Sequence, residues 1–381
     1  MTGYLIVGTY VPRQCGIATF SKDLRDGLYG EKKKVFVAAI TDWGRSYVYP
    51  SEVAFRVRQE RQADYLACAS WANGMPDIGL VFIQHEYGIF GGQDGEYVLD
   101  LASHLHKPYM VTTHTVLPQP SESQKRILSR LAGGAAGVIC MTERARGLLR
   151  DVYQVSPKKI FVVPHGVPRF KVKDREELKR RHGLEERTVI TTFGLIGPGK
   201  GLENGIKALA RLIPEHPQLL YVIAGETHPM LLRREGERYR EGIVRLVNEL
   251  GLEDHVLFVN KFLDTEELGD YLYMTDVYLS PYPNMNQAVS GTLSFAVGCG
   301  RAIVSTPYEH ARELLSNGRG LLARDASPEA IAEKLDIVLR DPEIKYELEQ
   351  NAAEYGRIIT WDNVARMYIR AATEVLAADA R

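Results

Sequence analysis

A glycine-rich segment in the second half of the chain has the residue types of a phosphate-binding loop. It reads TTFGLIGPGKG over residues 191–201 and contains Lys200. Its glycines are Gly194, Gly197, Gly199 and Gly201. Strand-like residues precede the segment and a helix-like run follows it. The glycine backbone, the free N–H groups of the helix and the lysine ammonium can therefore face one anion. The segment predicts a diphosphate site, although a tight strand–helix connection without a ligand fits the same residues.

A second candidate for anion binding is the stretch QAVSGTLS, residues 287–294. Ser290, Gly291 and Thr292 are predicted to lie at the N-terminus of a helix that runs to Val297. Their hydroxyl oxygens can cap the helix, and the free N–H groups there can bind phosphate oxygens. A simple Ser/Thr helix cap explains this segment taken alone. Two such segments after strands of the same half favour a shared diphosphate ligand.

In the first half, polar residues and a glycine follow predicted strands. Arg13 and Gly16 lie in the loop after the first strand, His85 and Glu86 follow a later strand, and His114 follows the next. The carboxyl ends of parallel strands share one edge of a sheet, where ligands bind. We therefore predict that Arg13, Gly16, His85, Glu86 and His114 lie at the edge of the sheet where a ligand enters. A purely structural role remains the alternative for each histidine.

The elements that position these residues alternate between strand and helix. Short apolar runs such as Tyr4–Thr9 and Val35–Ile40 are separated by helix-like segments, which predicts βαβ units and a parallel sheet. The pattern restarts at Val189–Gly194 after the charge-dense stretch Arg169–Arg187, the natural domain boundary. At 381 residues the chain has the length of two domains.

The predicted fold class is therefore α/β, with two Rossmann-like doubly wound domains that face each other across a cleft. Their predicted ranges are 1–168 and 169–361, and a C-terminal helix over 362–381 is expected to pack back on the first domain. The crevice between two such domains is the expected ligand site.

Composition excludes several classes of function. A net charge of −1 gives no reason to expect nucleic acid. The four cysteines lie far apart without a C-x-x-C pair, which argues against zinc and disulfide frameworks and favours a cytoplasmic location. No run approaches the roughly 20 apolar residues that span a bilayer, so membrane contact is expected to be peripheral. No Asp-x-Asp occurs to hold a metal against a diphosphate.

The chain resembles the family-4 retaining glycosyltransferases over essentially its whole length. The resemblance is strongest to a subgroup with CGIATF, QHEYGIFGG, SGTL and STPY, all present here, and the segments PHGV and AGE, which ends at Glu226, also match. It implies a GT-B fold, a donor held by the second domain, an acceptor held by the first, and transfer with retention and without a metal. By carry-over, Lys200 neutralises the donor diphosphate, Gly16 approaches the phosphates and His114 lies against the donor sugar. Glu226 and Gln287 join the donor-binding candidates, and the resemblance makes Arg13, His85 and Glu86 acceptor-side candidates.

Three positions depart from the family pattern. Leu195 occupies the place of the usual arginine after the loop glycine, and the two usual glutamates align with Gln287 and Phe295. Neutral residues therefore stand in place of one cation that would contact the diphosphate and of the carboxylate that would contact the ribose. Either Ser290 and Thr292 compensate, or the donor differs from the common ones. The subgroup resemblance favours a mannosyl donor, GDP-mannose.

The sequence thus predicts a metal-independent, retaining hexosyltransferase without a cofactor. It is expected to use a nucleoside-diphosphate sugar and a carbohydrate or lipid-linked acceptor. Two alternatives stay open. The three departures fit a catalytically silent sugar- or nucleotide-binding protein, and the same fold also hosts phosphorylases and sugar-nucleotide epimerases.

Overall fold

The computed structural model describes residues 3–42 and 44–379, which divide into two compact units. Unit 1 comprises the chain up to Gly166 together with the segment from Trp361 onward, and unit 2 is Val167–Thr360. The sequence placed these two boundaries after residues 168 and 361. Each unit is built on one parallel sheet, so the prediction of two Rossmann-like α/β domains is confirmed.

Seven parallel strands form the sheet of unit 1. They are β1 (Gly3–Gly8), β2 (Val35–Thr41), β3 (Val53–Arg58), β4 (Ile78–His85), β5 (Tyr109–Thr113), β6 (Gly137–Cys140) and β7 (Ile160–Val162). Their order is β3-β2-β1-β4-β5-β6-β7, so the winding reverses between β1 and β4, where ligands bind in such sheets. The sequence analysis missed β3, an edge strand whose side chains are mostly exposed or half-buried and therefore do not form an apolar run.

Six parallel strands form the sheet of unit 2. They are β8 (Thr188–Phe193), β9 (Leu219–Ala224), β10 (Val256–Val259), β11 (Val277–Ser280), β12 (Ala302–Ser305) and β13 (Leu321–Leu322), in the order β10-β9-β8-β11-β12-β13. Neighbouring residues of one strand enter different cores: Ile190 packs in one hydrophobic cluster and Val189 in the other, as do Tyr221 and Val222. Because side chains alternate along a strand, both faces of this sheet are covered.

The helices follow the strands in chain order. They are α1 (Gly16–Gly30), α2 (Gln62–Gly74), α3 (Val98–His104), α4 (Glu122–Gly134), α5 (Glu143–Asp151), α6 (Arg175–Arg181), α7 (Leu202–Leu212), α8 (Pro229–Glu235), α9 (Arg238–Glu249), α10 (Thr265–Met274), α11 (Gly291–Gly298), α12 (Glu309–Leu314), α13 (Pro328–Arg340), α14 (Pro342–Ile358) and α15 (Trp361–Asp379). Among the described residues, none of them combines the length and hydropathy needed to cross a bilayer.

The helix-like run of residues 233–250 predicts one helix, but the structure divides it into two. The structure has α8 and α9 there, separated at Gly236, whose φ of 63° ends α8. The C-terminal helix α15 packs on α1. A Cβ at Gly27 would lie only 2.9 Å from the Trp361 carbonyl oxygen, so the glycine allows this close approach.

Candidate functional site

The glycine-rich loop of unit 2 connects β8 to α7, and two of its glycines fix its course. Gly194 has a φ of 115°, and a Cβ there would lie 3.0 Å from Lys200 Nζ. Gly201 has a φ of 64°, and a Cβ there would lie 2.1 Å from the carbonyl oxygen of Pro281. Gly197 has extended backbone instead. Left-handed backbone and close packing therefore require glycine at 194 and 201.

Lys200 has no acidic partner in this loop. Its Nζ donates hydrogen bonds to the Phe193 carbonyl oxygen at 3.3 Å and to the Tyr282 hydroxyl at 2.5 Å. Within the described part of the chain, no carboxylate oxygen lies within the 4.0 Å of an ion pair. A partly buried ammonium that contacts only neutral groups is suited to an anionic ligand.

The second predicted segment meets the loop at the same point. Ser290 is the N-cap of α11, and its Oγ accepts from the Leu293 N–H at 3.3 Å. The Thr292 Oγ1 lies 2.9 Å from the Tyr282 hydroxyl and 3.2 Å from Ser290 Oγ. Gly291 is the first residue of this helix. The structure thus brings Ser290, Thr292 and Lys200 together around Tyr282.

Sequence reasoning missed Tyr282. The residue follows β11, the strand beside β8 in the sheet, so its place at a strand end next to the glycine-rich loop was the available indication. Burial raises the pKa of Tyr282. The Lys200 ammonium and hydrogen bonds from neighbouring groups lower it by a larger amount, so the net pKa lies below the usual 10. The hydroxyl is therefore electrostatically linked to Lys200.

No charged side chain appears where the sequence departs from the family pattern. Gln287 donates from Nε2 to the Val289 carbonyl oxygen at 2.8 Å and so holds its own loop. The Phe295 ring packs on Phe193 and Phe170, at centroid distances of 6.4 and 6.0 Å. Glu226 contributes a backbone oxygen that accepts from the Ile196 N–H at 2.7 Å.

In unit 1, His114 follows β5 and is held by its neighbours. Its Nε2 lies 3.0 Å from Gln84 Oε1, a geometry in which Nε2 carries the proton, and Phe20 packs edge-on at 4.7 Å. Burial, with smaller contributions from the charges of His165 and His85, lowers the pKa of His114 to about 3. The imidazole is therefore neutral near pH 7.

His85 does not fit its predicted acceptor-side position. Its side chain is 0% exposed and packs between Tyr87 and Phe90, at centroid distances of 4.9 and 6.3 Å. Among the described residues, neither ring nitrogen has a hydrogen-bond partner. We correct the assignment accordingly: a fully buried ring cannot touch an acceptor, so His85 is a core residue.

Glu86 and Arg13, the two charged candidates of unit 1, make different contacts. Glu86, after β4, accepts hydrogen bonds from the Thr115 hydroxyl and from the Tyr87 N–H at 2.9 Å. Burial raises the pKa of Glu86, and its carboxyl group holds its own loop. Arg13 instead donates to the Ile40 carbonyl oxygen and to Gln59 Oε1, both at 3.3 Å, on the β2 and β3 side of the sheet.

Gly16 opens α1 on an unobstructed surface. It is exposed, and a Cβ there would meet no described atom within 4 Å. Cys15 caps the helix, since its Sγ accepts from the Ala18 N–H at 3.4 Å. Across residues 3–42 and 44–379, no three His, Cys, Asp or Glu side chains form a group that could hold a metal ion.

The buried histidine makes stability depend on pH. Burial lowers the pKa of His85 to about 4, against about 6.5 in an unfolded chain. Between these values the unfolded state binds more protons, so His85 contributes stability that is present above pH 6.5 and lost as pH falls toward 4. We expect His85→Phe to reduce the fall in Tm between pH 6.5 and 4.5.

The measurement is the difference in Tm between variant and wild type at each pH. A difference is needed because burial raises the pKa of Asp23, also in unit 1, to about 7, and this carboxyl group contributes with the opposite sign. The exposed His106 provides the control, and His106→Gln should leave the acid slope unchanged. A slope for His85→Phe equal to that of the wild type would contradict the prediction.

The sequence matches two family models, one in each unit. Residues 174–358 match the model described as glycosyl transferases group 1. Residues 25–169 match the model of glycosyltransferase family 4. Together the two ranges cover most of the chain.

Individual relatives agree with the family models. The chain is 24% identical over 247 residues to an alpha-D-kanosaminyltransferase of Streptomyces kanamyceticus, covering 61% of this chain and 60% of that protein. It is 26% identical over 334 residues to a D-inositol 3-phosphate glycosyltransferase of Nocardioides sp., covering 80% of this chain and 70% of that protein.

A solved structure supports the fold. Alr3699/HepE of Anabaena, determined in complex with UDP and glucose, is similar with a TM-score of 0.79 and 14% identity, covering 98% of this chain and 100% of that one. At this identity the likeness concerns the fold alone. On these matches the second unit carries the group 1 glycosyl transferase domain and the first that of glycosyltransferase family 4, and the fold is GT-B.

Proposed function

We propose that the protein transfers a hexose, with retention and without a metal, from a nucleoside-diphosphate sugar to a carbohydrate or lipid-linked acceptor. The supporting observation is the Lys200 ammonium, which contacts the neutral groups Phe193 and Tyr282 and no carboxylate among the described residues. We assign the donor diphosphate to this ammonium and to the N-terminus of α11. We assign the acceptor to unit 1.

The reaction requires that the substrates are positioned and that the developing charge is stabilised. In a front-face displacement the acceptor oxygen bonds to the anomeric carbon as the bond from that carbon to the diphosphate breaks, and the departing phosphate takes the proton of the acceptor hydroxyl. The enzyme then stabilises the negative charge that develops on the diphosphate, and a fixed ammonium and helix N–H groups do this without reorganisation. The complex of HepE with UDP and glucose supports a nucleotide-sugar donor. We favour GDP-mannose as that donor on the subgroup resemblance.

A donor screen tests the proposal. Thermal shifts with UDP, GDP and ADP identify the nucleotide, and release of nucleotide from the corresponding sugars measures turnover. NMR of the product then reports the anomeric configuration. We expect turnover to survive EDTA and the product to keep the donor configuration. Activity that EDTA abolishes and Mg²⁺ or Mn²⁺ restores would disprove the metal-free reaction, and an inverted product would disprove retention.

His114→Ala is expected to lower kcat roughly tenfold. A neutral imidazole against the donor sugar contributes a hydrogen bond and fixes the sugar, and a displacement of the reacting atoms is costly. The measurement is steady-state kinetics with the donor identified above, together with Tm to detect unfolding. His104→Ala, at the exposed end of α3, is the control. Normal kcat in a folded His114→Ala enzyme would remove the sugar contact.

A catalytically silent nucleotide-binding protein is the second candidate. Leu195, Gln287 and Phe295 favour it, because no charged group replaces the usual arginine and glutamates there. Binding of a nucleoside diphosphate without turnover on a broad acceptor panel would decide for it. We also propose a cytoplasmic location, which the four free cysteines support. Fractionation of the native cells tests that location.

A further inference from the structure

Tyr282 lies where the two anion-binding segments of unit 2 meet, and neither segment contains it. Its side chain is 5% exposed, and its ring stacks on Tyr308 at a centroid distance of 5.1 Å. Three groups approach the hydroxyl: Lys200 Nζ at 2.5 Å, Thr292 Oγ1 at 2.9 Å and Ser290 Oγ at 3.4 Å. The phenol is therefore fixed in position and shared between both segments.

The hydrogen bonds of this cluster follow one donor-to-acceptor direction. The ammonium of Lys200 has three N–H groups; one points to the Phe193 oxygen and one to Tyr282, and the third meets no acceptor in the part of the chain that the structure describes. Because the Tyr282 oxygen accepts from both the ammonium and the Ser290 hydroxyl, its own hydrogen is left for Thr292 Oγ1. Thr292 is partly exposed at the start of α11 and can turn its hydrogen to a ligand oxygen.

We propose that Tyr282 is a positioning residue that holds the Lys200 ammonium in place for the donor diphosphate. The inference rests on the function proposed above and deepens it. It identifies the hydroxyls of Tyr282, Ser290 and Thr292 as the neutral groups that complete the diphosphate subsite in the absence of the usual arginine and glutamates.

Two physical reasons favour a phenol in this position. A free lysine side chain loses conformational entropy when it is ordered, and an ammonium held beforehand does not lose this on binding. A carboxylate would also hold the ammonium, but it would cancel the charge that the diphosphate needs. A buried hydroxyl fixes the ammonium and leaves its charge available.

Binding measurements separate this role from simple packing. We would titrate UDP, GDP, ADP and inorganic pyrophosphate into the wild type, Tyr282→Phe and Tyr221→Phe by calorimetry. Tyr221 is an equally buried tyrosine of unit 2 whose hydroxyl lies 2.7 Å from Thr192 Oγ1, so its variant is the matched control. We expect roughly tenfold weaker nucleotide binding for Tyr282→Phe alone, with similar losses of Tm in both variants.

A double-mutant cycle tests whether Tyr282 acts through Lys200. In the Lys200→Ala background, Tyr282→Phe should change the Kd by less than about twofold, since the group it positions is gone. An undiminished tenfold effect in that background would overturn the positioning role, and so would wild-type affinity in the single variant Tyr282→Phe. If none of the four probes binds the wild-type protein, the donor site itself is disproved, and the proposal with it.

A spectroscopic measurement examines the pair without any ligand. In protein labelled with 13C at tyrosine Cζ, the resonance that is absent from Tyr282→Phe should titrate below pH 10. In Lys200→Ala the same resonance should titrate at higher pH, because the neighbouring positive charge is gone and burial remains. A Tyr282 resonance whose titration is the same in both proteins would overturn the pairing even if nucleotides bind.

Discussion

Lys200→Ala is expected to lower kcat/KM for the nucleotide-sugar donor at least tenfold. A charge-assisted contact to phosphate is worth roughly 1.5–3 kcal/mol, and Leu195 stands where the family pattern has a second cation for the diphosphate. The loss should appear in the donor KM if the contact is equally strong in the ground state. The loss should appear in kcat if the contact strengthens as the diphosphate departs.

The control is another lysine of the same region. Lys207 lies on the exposed face of α7, so Lys207→Ala removes an equal charge without touching the loop. Nucleotide release under saturating and limiting donor gives kcat and KM for both variants. Equal kcat/KM in Lys200→Ala and the wild type would remove Lys200 from the site and with it the proposed diphosphate contact.

Gly201→Ala is expected to destabilise unit 2 by at least about 2 kcal/mol and to abolish most activity. The backbone at Gly201 has a φ of 64°, which costs a non-glycine residue roughly 1–3 kcal/mol. The added Cβ would also lie 2.1 Å from the Pro281 carbonyl oxygen, so one of the two chain segments must move. Lys200 is the preceding residue, and Pro281 precedes Tyr282, so this movement would separate the ammonium from the phenol.

Gly199→Ala is the matched comparison within the same loop. Gly199 is exposed, and a Cβ there would meet no described atom within 4 Å. We expect its stability to change by less than about 0.5 kcal/mol. Urea unfolding followed by donor kinetics measures both effects. Comparable losses of stability and activity in the two variants would contradict the packing argument. They would favour direct contact of the loop backbone with a ligand.

The fold class and the loop that carries Lys200 were predictable from the order of the residues alone. Buried parallel strands are continuous apolar runs separated by helical segments, and this pattern depends only on local residue order. The break after the first domain was visible for the same reason, as the charge-dense stretch Arg169–Arg187 interrupts the pattern. Ser290 was recognisable as a helix cap because capping is a local interaction between a hydroxyl and the next turn.

Which strand-end residues meet and which are buried depends on contacts between distant elements and was not predictable from the local sequence. His85 is the last residue of β4 and His114 the first residue after β5, yet the His85 ring is enclosed by Tyr87 and Phe90 while His114 remains partly exposed. These two rings lie only two and five residues after His85, but contacts with more distant residues of unit 1 hold them over it. Strand order likewise brings Tyr282, 82 residues beyond Lys200, to within 2.5 Å of its ammonium.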